Sequence, residues 1–488
     1  MSDLPLTTIF VAALLAWAGV HRLCNNPRYP PGPSGYPLVG NIFKFSPVGP
    51  WTKLTEYKKK SSVQTDILFF HGLGNSILVL NSMEAITDLL DKEGGISSDR
   101  PVFTVVGELM GLGQSMALLP YGQDWRRHRK LAHTALGPNA VKRYHTIQED
   151  LAVLLCKSML EKPLDFFGHV RLISSRIVLA ITYGLSVDQA DNEYITDAEA
   201  TMDMVGRSTR PGAFLCDLIP AMKYLPSWMP FQQEAKKGRE MIESLVTKPY
   251  NYALQHMASG EHPSLVQELW DSTSERSLGF QHDLKWMTGS LYGAAGDSNY
   301  ATILTFMMAM AMYPEKQRLA QAEIDRVVGS ERMPSVSDRA SLPYVNALIK
   351  ETMRWHPALP LGIARSTSKD TTYRGFLIPK GTVVLPNICN ADEFVPEQDT
   401  APVDPGLWAF GFGRRICPGK HLAENSVFII ISSLLATLDI SLPPNGVVNP
   451  EFDKDHLVSY PHDFKCTINA RSSTTENLVQ TRAQESKV

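Results

Sequence analysis

Phe410-Gly411-Phe412-Gly413-Arg414-Arg415-Ile416-Cys417-Pro418-Gly419 is the stretch whose reading decides the fold. It sets one cysteine on a glycine-punctuated loop that feeds into a helix pattern. After Gly419, the apolar residues Leu422, Ala423, Val427, Ile430, Ile431, Leu434 and Leu435 recur at helical spacing. A cysteine ahead of a helix lies near free backbone N–H groups and the positive end of the helix dipole. Both favour thiolate over thiol. Gly413 and Gly419 allow a tight bend and close approach to a flat ligand. Arg415 places a cation two residues from the sulfur, suited to an anionic cofactor edge. A lone cysteine is more often a buried structural residue. The Phe, Gly, Arg and Pro at these offsets make Cys417 a candidate metal ligand instead.

The pattern Phe410-x-x-Gly413-x-Arg415-x-Cys417-x-Gly419 resembles the haem-binding signature of the cytochrome P450 family. The resemblance runs from the N-terminus to about residue 467. It implies a mainly α fold with small β-sheets, haem b as cofactor and Cys417 as axial thiolate on its iron. It also implies that Arg415 pairs with a haem propionate and that Phe410 shields the sulfur. A thiolate ligand pushes electron density toward iron and favours O–O cleavage.

Two further elements gain meaning from this likeness. Glu351-Thr352-Met353-Arg354 ends a helix before Pro357, and Glu351 and Arg354 share a face as i and i+3. The pair resembles the family's ExxR element, which is structural. Trp125-Arg126-Arg127-His128-Arg129 opens a basic helix, with Trp125 and Arg129 on one face. By resemblance these two reach a haem propionate. Arg126, Arg127, Lys130, Arg414 and Lys420 are then candidates for a surface that docks an acidic electron donor.

Ala294-Ala295-Gly296-Asp297-Ser298-Asn299 places small residues inside a long apolar helical pattern. A mid-helix Gly costs about 1 kcal/mol against Ala, so a packing or functional reason is expected. Asp297 and Ser298 offer a carboxylate and a hydroxyl for passing protons to bound dioxygen. The family usually has Gly at the position of Ala295 and Thr at that of Ser298. Phe394-Val395-Pro396-Glu397-Gln398 resembles a second family element, with Gln398 in place of Arg and a shortened segment before it. Family position suggests pocket walls at Val102, Phe103, Phe214 to Leu218, Ala294, and Leu359 to Leu361. These are largely apolar, as an apolar small-molecule substrate requires, and equally as ordinary core requires.

The rest of the chain is consistent with one large domain. It has 488 residues, 44% hydrophobic and 20% charged, with a formal net charge of −3. That charge argues against a nucleic-acid partner. Cysteines 24, 156, 216, 389, 417 and 466 are scattered, with no zinc-type spacing, so no disulfide framework is expected. Leu4 to Val20 form an uncharged apolar run, roughly 25 Å long as a helix. Asp3 before it and His21, Arg22 and Arg28 after it place the body on the cytosolic side. The predicted organisation is a membrane anchor over 1–22, a proline-rich hinge over 23–40, a catalytic domain over 41–470 and a disordered polar tail over 471–488. The predicted location is single-pass in the endoplasmic reticulum membrane. Hairpins are expected at 67–80 and 373–385, with helices at 83–92, 123–136, 140–160, 170–184, 232–258, 282–312, 314–328 and 343–356.

The function so implied is a haem-thiolate monooxygenase. Electrons would come from NADPH through a separate NADPH-cytochrome P450 reductase, since the chain carries no flavin or nicotinamide motif. Pro314-Glu315-Lys316-Gln317 and Ala322-Glu323-Ile324-Asp325 resemble fungal members of secondary-metabolite pathways. Two alternatives stay open at this level. One is a reductase-independent haem-thiolate isomerase or dehydratase, and the other a non-catalytic haem-binding remnant.

Overall fold

A computed structural model describes residues 28–486 except 37–38, 47, 61–65, 211, 258–263, 275, 390–403 and 445. The anchor expected at 1–22 and the element around Phe394 to Gln398 lie outside the described residues. Among the described residues, no helix is long and apolar enough to cross a membrane.

Ten helices carry the site and its supports. They are α1 (Gln123–Leu136), α2 (His145–Glu161), α3 (Phe166–Tyr183), α4 (Glu193–Ser208), α5 (Pro230–His256), α6 (Leu278–Met312), α7 (Pro314–Val327), α8 (Pro343–Trp355), α9 (Lys420–Thr437) and α10 (Ser473–Gln484). The axis of the fold is α6, which at 35 residues runs roughly 50 Å. Ser277 starts it, its Oγ accepting from the Phe280 N–H at 3.2 Å. Its second half, from Ala301 to Ala311, is buried all round. A helix with no polar face belongs inside a bundle. Here α3, α9 and α7 enclose it, so its Met, Ile, Leu and Phe side chains form the centre of the main core. The small-residue stretch from Ala294 to Ser298 does not interrupt α6, which continues unbroken through it.

A smaller β-region flanks the bundle. β1 (Ile67–Gly72) and β2 (Asn75–Leu80) form the expected hairpin, with Ile67 opposite Leu80. The segment expected to pair with itself at 373–385 divides instead. β4 (Thr371–Tyr373) and β5 (Phe376–Ile378) make a short ribbon of their own. β6 (Val383–Pro386) lies parallel to β2, and β3 (Arg365–Ser366) lies antiparallel to β6. Val384 and Leu385 are apolar on both faces, which suits an inner strand rather than a free hairpin arm. β7 (Leu438–Ser441) and β8 (Thr467–Ala470) close the chain.

The structure departs from three further expectations. The helix expected over 83–92 widens after Met83–Ile86 into a π-turn at Thr87–Lys92. The proline-rich hinge is docked on the body from residue 28. The Phe69 N–H donates to Pro31 O at 2.8 Å, and the ring of Tyr29 packs 5.4 Å from that of Phe69. The tail expected to be disordered is α10. Ser472 Oγ accepts from the Thr475 N–H at 3.1 Å, while Thr475 Oγ1 accepts from the Ser472 N–H at 3.0 Å. Val479 is fully buried, and Arg482 pairs at 2.8 Å with Asp150 of α2, itself 3% exposed. A polar tail orders here because a cap, one apolar stripe and one buried ion pair act together. The sequence reading also passed over α4, whose mixed composition gives a weak helical period.

Candidate functional site

The cysteine loop is held at both ends by aromatic side chains and along its length by backbone. Trp408 is 1% exposed and Phe412 3% exposed, both set among Phe69, Leu78, Leu90 and Ile378. The Cys417 N–H donates to Phe410 O at 2.8 Å, closing the loop across its base. A 3-10 turn, Gly413–Arg415, follows Phe412. Gly413 has φ +47°, and a Cβ there would sit 2.3 Å from Leu90 O in the π-turn. Its glycine therefore serves close contact with another stretch of backbone. α9 begins at Lys420, three residues after the sulfur.

The electrostatics of Cys417 differ from the expectation. Burial is the largest influence and pushes the thiol up. The Gly419 N–H, Arg129 and Lys420 act in the other direction and do not overcome it. A bound metal cation is what deprotonates such a thiol outright. Among the described residues, no group of three or more His, Cys, Asp or Glu is placed to hold a metal. A metal at this loop would be held by a single protein ligand.

Four arginines gather around the cysteine loop, and of these Arg129 acts on the sulfur itself. Arg129 Nη1 donates to Ile416 O at 2.7 Å and packs on the Trp125 ring, 5.7 Å from its centroid. Arg415 lies 4.7 Å from the same centroid and donates to Ser98 O at 2.8 Å and Leu119 O at 2.7 Å. Arg100 donates to Ala117 O at 2.7 Å and Ala364 O at 2.6 Å. Arg365 donates to the carbonyls of Leu90 and Phe412, tying β3 to the cysteine loop. Arg100, Arg365 and Arg415 are each less than 10% exposed.

Burial lowers the guanidinium pKa at all four positions, to about 10 for Arg365 and Arg415. Their mutual repulsion adds to this at Arg100 and Arg415, with Asp99 opposing it. Buried cations in excess over buried carboxylates are costly unless an anion joins them. A dianionic, planar cofactor edge satisfies that requirement. The residues present therefore fit haem with its two propionates. Trp125, Arg129 and Arg415 came from the sequence. Arg100 and Arg365 did not, although Arg365 stands as a lone cation after the apolar run Leu359 to Ala364.

Glu351 and Arg354 form a bidentate pair, with Arg354 Nε and Nη2 each 2.7 Å from a Glu351 oxygen. Arg126 and Lys130 stand exposed on α1, while Arg414 donates to Tyr121 Oη at 2.6 Å. Arg127 is committed elsewhere. It bonds Asp283 at 2.6 Å and Asp124 at 2.9 Å, so it is poorly placed to meet a partner.

On α6, Ala294 and Ser298 are i and i+4 on one accessible face. Gly293 and Gly296 point the other way, toward Met202 and Ser175. Asp297 lines this second side with Gly293 and Gly296, and burial pushes its carboxyl up to about 6, against the pull of Arg171 and His456. Ser298 Oγ donates to Ala294 O at 3.2 Å rather than to the carboxylate. The supposed pocket walls divide. Phe103 and Phe214 join one cluster with Val205, Val246 and Trp286. Leu361 packs against the β-sheet with Phe70 and Leu385, and Leu359 forms the turn in which the Gly362 N–H donates to Leu359 O at 3.0 Å. Val102 lies at the surface, 69% exposed.

Above Phe103 a roof segment, Leu215 to Trp228, is tied down by a few polar contacts. The Val105 N–H donates to Asp217 Oδ1 at 3.2 Å, Lys223 meets Glu108 at 2.6 Å and Gln232 Nε2 of α5 donates to Lys223 O at 2.7 Å. Leu215, Tyr224 and Trp228 stay largely exposed.

A mainly helical body that presents one cysteine on a backbone-locked loop beside buried arginines defines a haem-thiolate protein. The cytochrome P450 family profile matches residues 30–468, and the chain belongs to that family. It is 36% identical to cytochrome P450 monooxygenase COX2 of Coprinopsis cinerea, over 97% of this chain and 95% of that protein. It is also 36% identical to cytochrome P450 monooxygenase 208 of Postia placenta, over 92% of each. To cytochrome P450 monooxygenase claR of Ampulloclitocybe clavipes it is 34% identical, over 92% of this chain and 88% of that protein. Members of the family are oxidoreductases that bind haem through a cysteine thiolate and work with a redox partner on small molecules.

Proposed function

We propose that this protein is a membrane-anchored monooxygenase that hydroxylates, or similarly oxidises, an apolar small molecule of fungal secondary metabolism. Electrons would reach it from NADPH through a separate reductase. The observation that carries the reading is the pairing of Cys417 on its locked loop with the buried, anion-poor cluster of Arg100, Arg129, Arg365 and Arg415.

Cys417 would hold the haem iron through its thiolate, with Phe410 covering the sulfur. Arg100, Arg129, Arg365 and Arg415, backed by the Trp125 ring, would hold the propionates. The bound haem supplies the iron on which dioxygen is reduced and its O–O bond cleaved. Every other contribution comes from the chain. Asp297 would hold a proton at its carboxyl near neutral pH, and Ser298 would pass one after turning its hydroxyl away from Ala294 O. Glu351 and Arg354 would brace the core beneath the loop, with no chemical role. Arg126, Lys130, Arg414 and Lys420 would meet an acidic donor. Phe103, Phe214 and Ala294 would face an apolar substrate, and roof opening would admit it. The apolar run Leu4 to Val20 supports a single-pass anchor in the endoplasmic reticulum membrane, with the body cytosolic.

The deciding measurement is the carbon monoxide difference spectrum of the reduced protein in membranes, followed by NADPH consumption with added reductase. A thiolate-type red-shifted Soret band and reductase-dependent consumption are expected. Cys417→Ala should abolish both. A haem-loaded Cys417→Ala protein with an unchanged spectrum would overturn the assignment. Turnover that ignores NADPH would point to isomerase chemistry.

A further inference from the structure

Asp297 has a second carboxylate facing it across a cleft. The cleft lies between α3, α4 and α6 and is lined by Ser175, Ala198, Glu199, Tyr292, Gly296 and Asp297. Glu199 is on α4, and its side chain is 34% exposed, so it reaches solvent as well as the cleft. Arg171 of α3 pairs with it at 2.8 Å and is itself half exposed. The two carboxyl groups feel one another. The charge of Asp297 raises the pKa of Glu199, and Arg171 opposes this at both. Burial is the larger cause of the upward direction at each. Room for the cleft comes from α6 itself. At Gly296 a Cβ would project into it, 3.7 Å from Ser175 Oγ.

The chain thus has a wet carboxylate at the mouth, an inner one on α6, and between them a small space walled by Val178, Ile195 and Met202, into which Ser175 and Tyr292 bring the other polar side chains. We propose that Glu199 is the entry residue of the proton path to the oxygen-binding side of α6, taking protons from bulk water and reloading Asp297 through the cleft. This rests on the monooxygenase reading and deepens it. The step is a proton transfer alone. Glu199 gives its proton toward the Asp297 carboxylate and regains one from solvent, with Arg171 pairing to Glu199 whenever it is ionised. The other titratable groups facing this region are Tyr292, Tyr300, Asp203, Asp453, Tyr460 and His456. His456 is bonded to both Asp203 at 2.9 Å and Asp453 at 2.7 Å, so these three are committed to one another. Asp463 acts on Tyr300 from outside the cleft lining.

The test uses the haem-loaded full chain in membranes with reductase, and dioxygen itself as the probe. Glu199→Gln keeps the size and polarity of the side chain but carries no titratable proton. Two rates are read. Formation of the carbon monoxide complex after reductase-driven reduction needs no proton and should stay within twofold of the parent. NADPH-driven dioxygen consumption should fall about fivefold or more, with a larger rate ratio between H2O and D2O and a greater share of hydrogen peroxide. Glu199→Asp, which retains a carboxyl, should recover at least half of the lost rate. The proposal is overturned if Glu199→Gln consumes dioxygen at the parental rate with the parental isotope ratio. It is equally overturned if Asp and Gln variants are slowed alike while both hold haem, since that marks a packing role. If the Gln variant fails to hold haem, Glu199→Ser is read against Glu199→Asp in its place, with the same supporting and overturning outcomes. A parent protein that forms no carbon monoxide complex would fail earlier, at the monooxygenase reading, and is told apart by that missing band.

Discussion

The cysteine loop and the roof segment are built on opposite plans. Residues 408–419 are fixed by two buried aromatic rings, a glycine wedged against Leu90 and a carbonyl bond from Arg365. Residues 215–228 carry Leu215 at 62%, Tyr224 at 82% and Trp228 at 71% exposure, and rest on a handful of polar contacts. The loop is over-determined because a metal ligand must be placed to within a fraction of an ångström. The roof is lightly tied, with Cys216 as its buried anchor, which suits the opening proposed for it. The proposed iron ligand therefore sits where many constraints agree, and the proposed entrance where few do.

The comparison breaks most readily at Gly413. Gly413→Ala would force Cβ against Leu90 O and strain a left-handed backbone, at a cost of about 2–4 kcal/mol. Thermal unfolding and haem retention check it. A parental melting point would show that the loop is less rigid than its contacts imply. Next in size is Arg365→Ala, which removes both the bond to Phe412 O and one cation of the cluster. Leaving the buried Phe412 O without its donor costs about 1–3 kcal/mol, and with one cation fewer for an anionic cofactor edge haem should dissociate at least tenfold faster. Arg365→Lys should restore part of that affinity, as measured by haem transfer to apomyoglobin.

A smaller effect is expected at Asp297, and its sign is opposite. Its folded pKa of about 6 lies above the ordinary 3.8, so the folded state keeps a proton that the unfolded chain releases. Stability contributed by the neutral form is present at low pH and is lost as pH rises from about 4 through 6. Asp297→Asn should therefore melt higher than the parent above pH 6, and the gap should close below pH 4. An equal melting point at pH 8 would contradict the burial argument. The smallest change should come from Trp228→Ser in the roof. Stability should shift by no more than about 0.5 kcal/mol in detergent-free solution. A larger loss would mean that the exposed indole supports the fold.

How much of this was legible follows the same division. The Cys417 loop could be read because its constraints are local and fall at fixed offsets in one decapeptide. Glu351 with Arg354, and Trp125 with Arg129, could be read because helical spacing brings them together. Arg100 and Arg365 were missed because they reach the site from distant positions, and only the tertiary fold sets them beside Arg415. Glu199 was invisible for the same reason, being one acid among several on a helix with little periodicity. At Cys417 burial outweighs the helix dipole and neighbouring cations on the free thiol, so its thiolate form rests on the bound iron more than on the sequence neighbours. The tail was misjudged because composition averages over residues, whereas α10 needs only Val479, Arg482 and a cap.

The docking of α10 has a practical side for anyone expressing this enzyme. Trimming the chain at residue 468, where the family match ends, would remove β8 after its second residue, the Arg482 ion pair to the buried Asp150 of α2 and the core contacts of Val479. The shortened protein would then be prone to aggregate or to be degraded. An affinity handle is better appended beyond Val488 through a flexible spacer than grafted in place of the final helix.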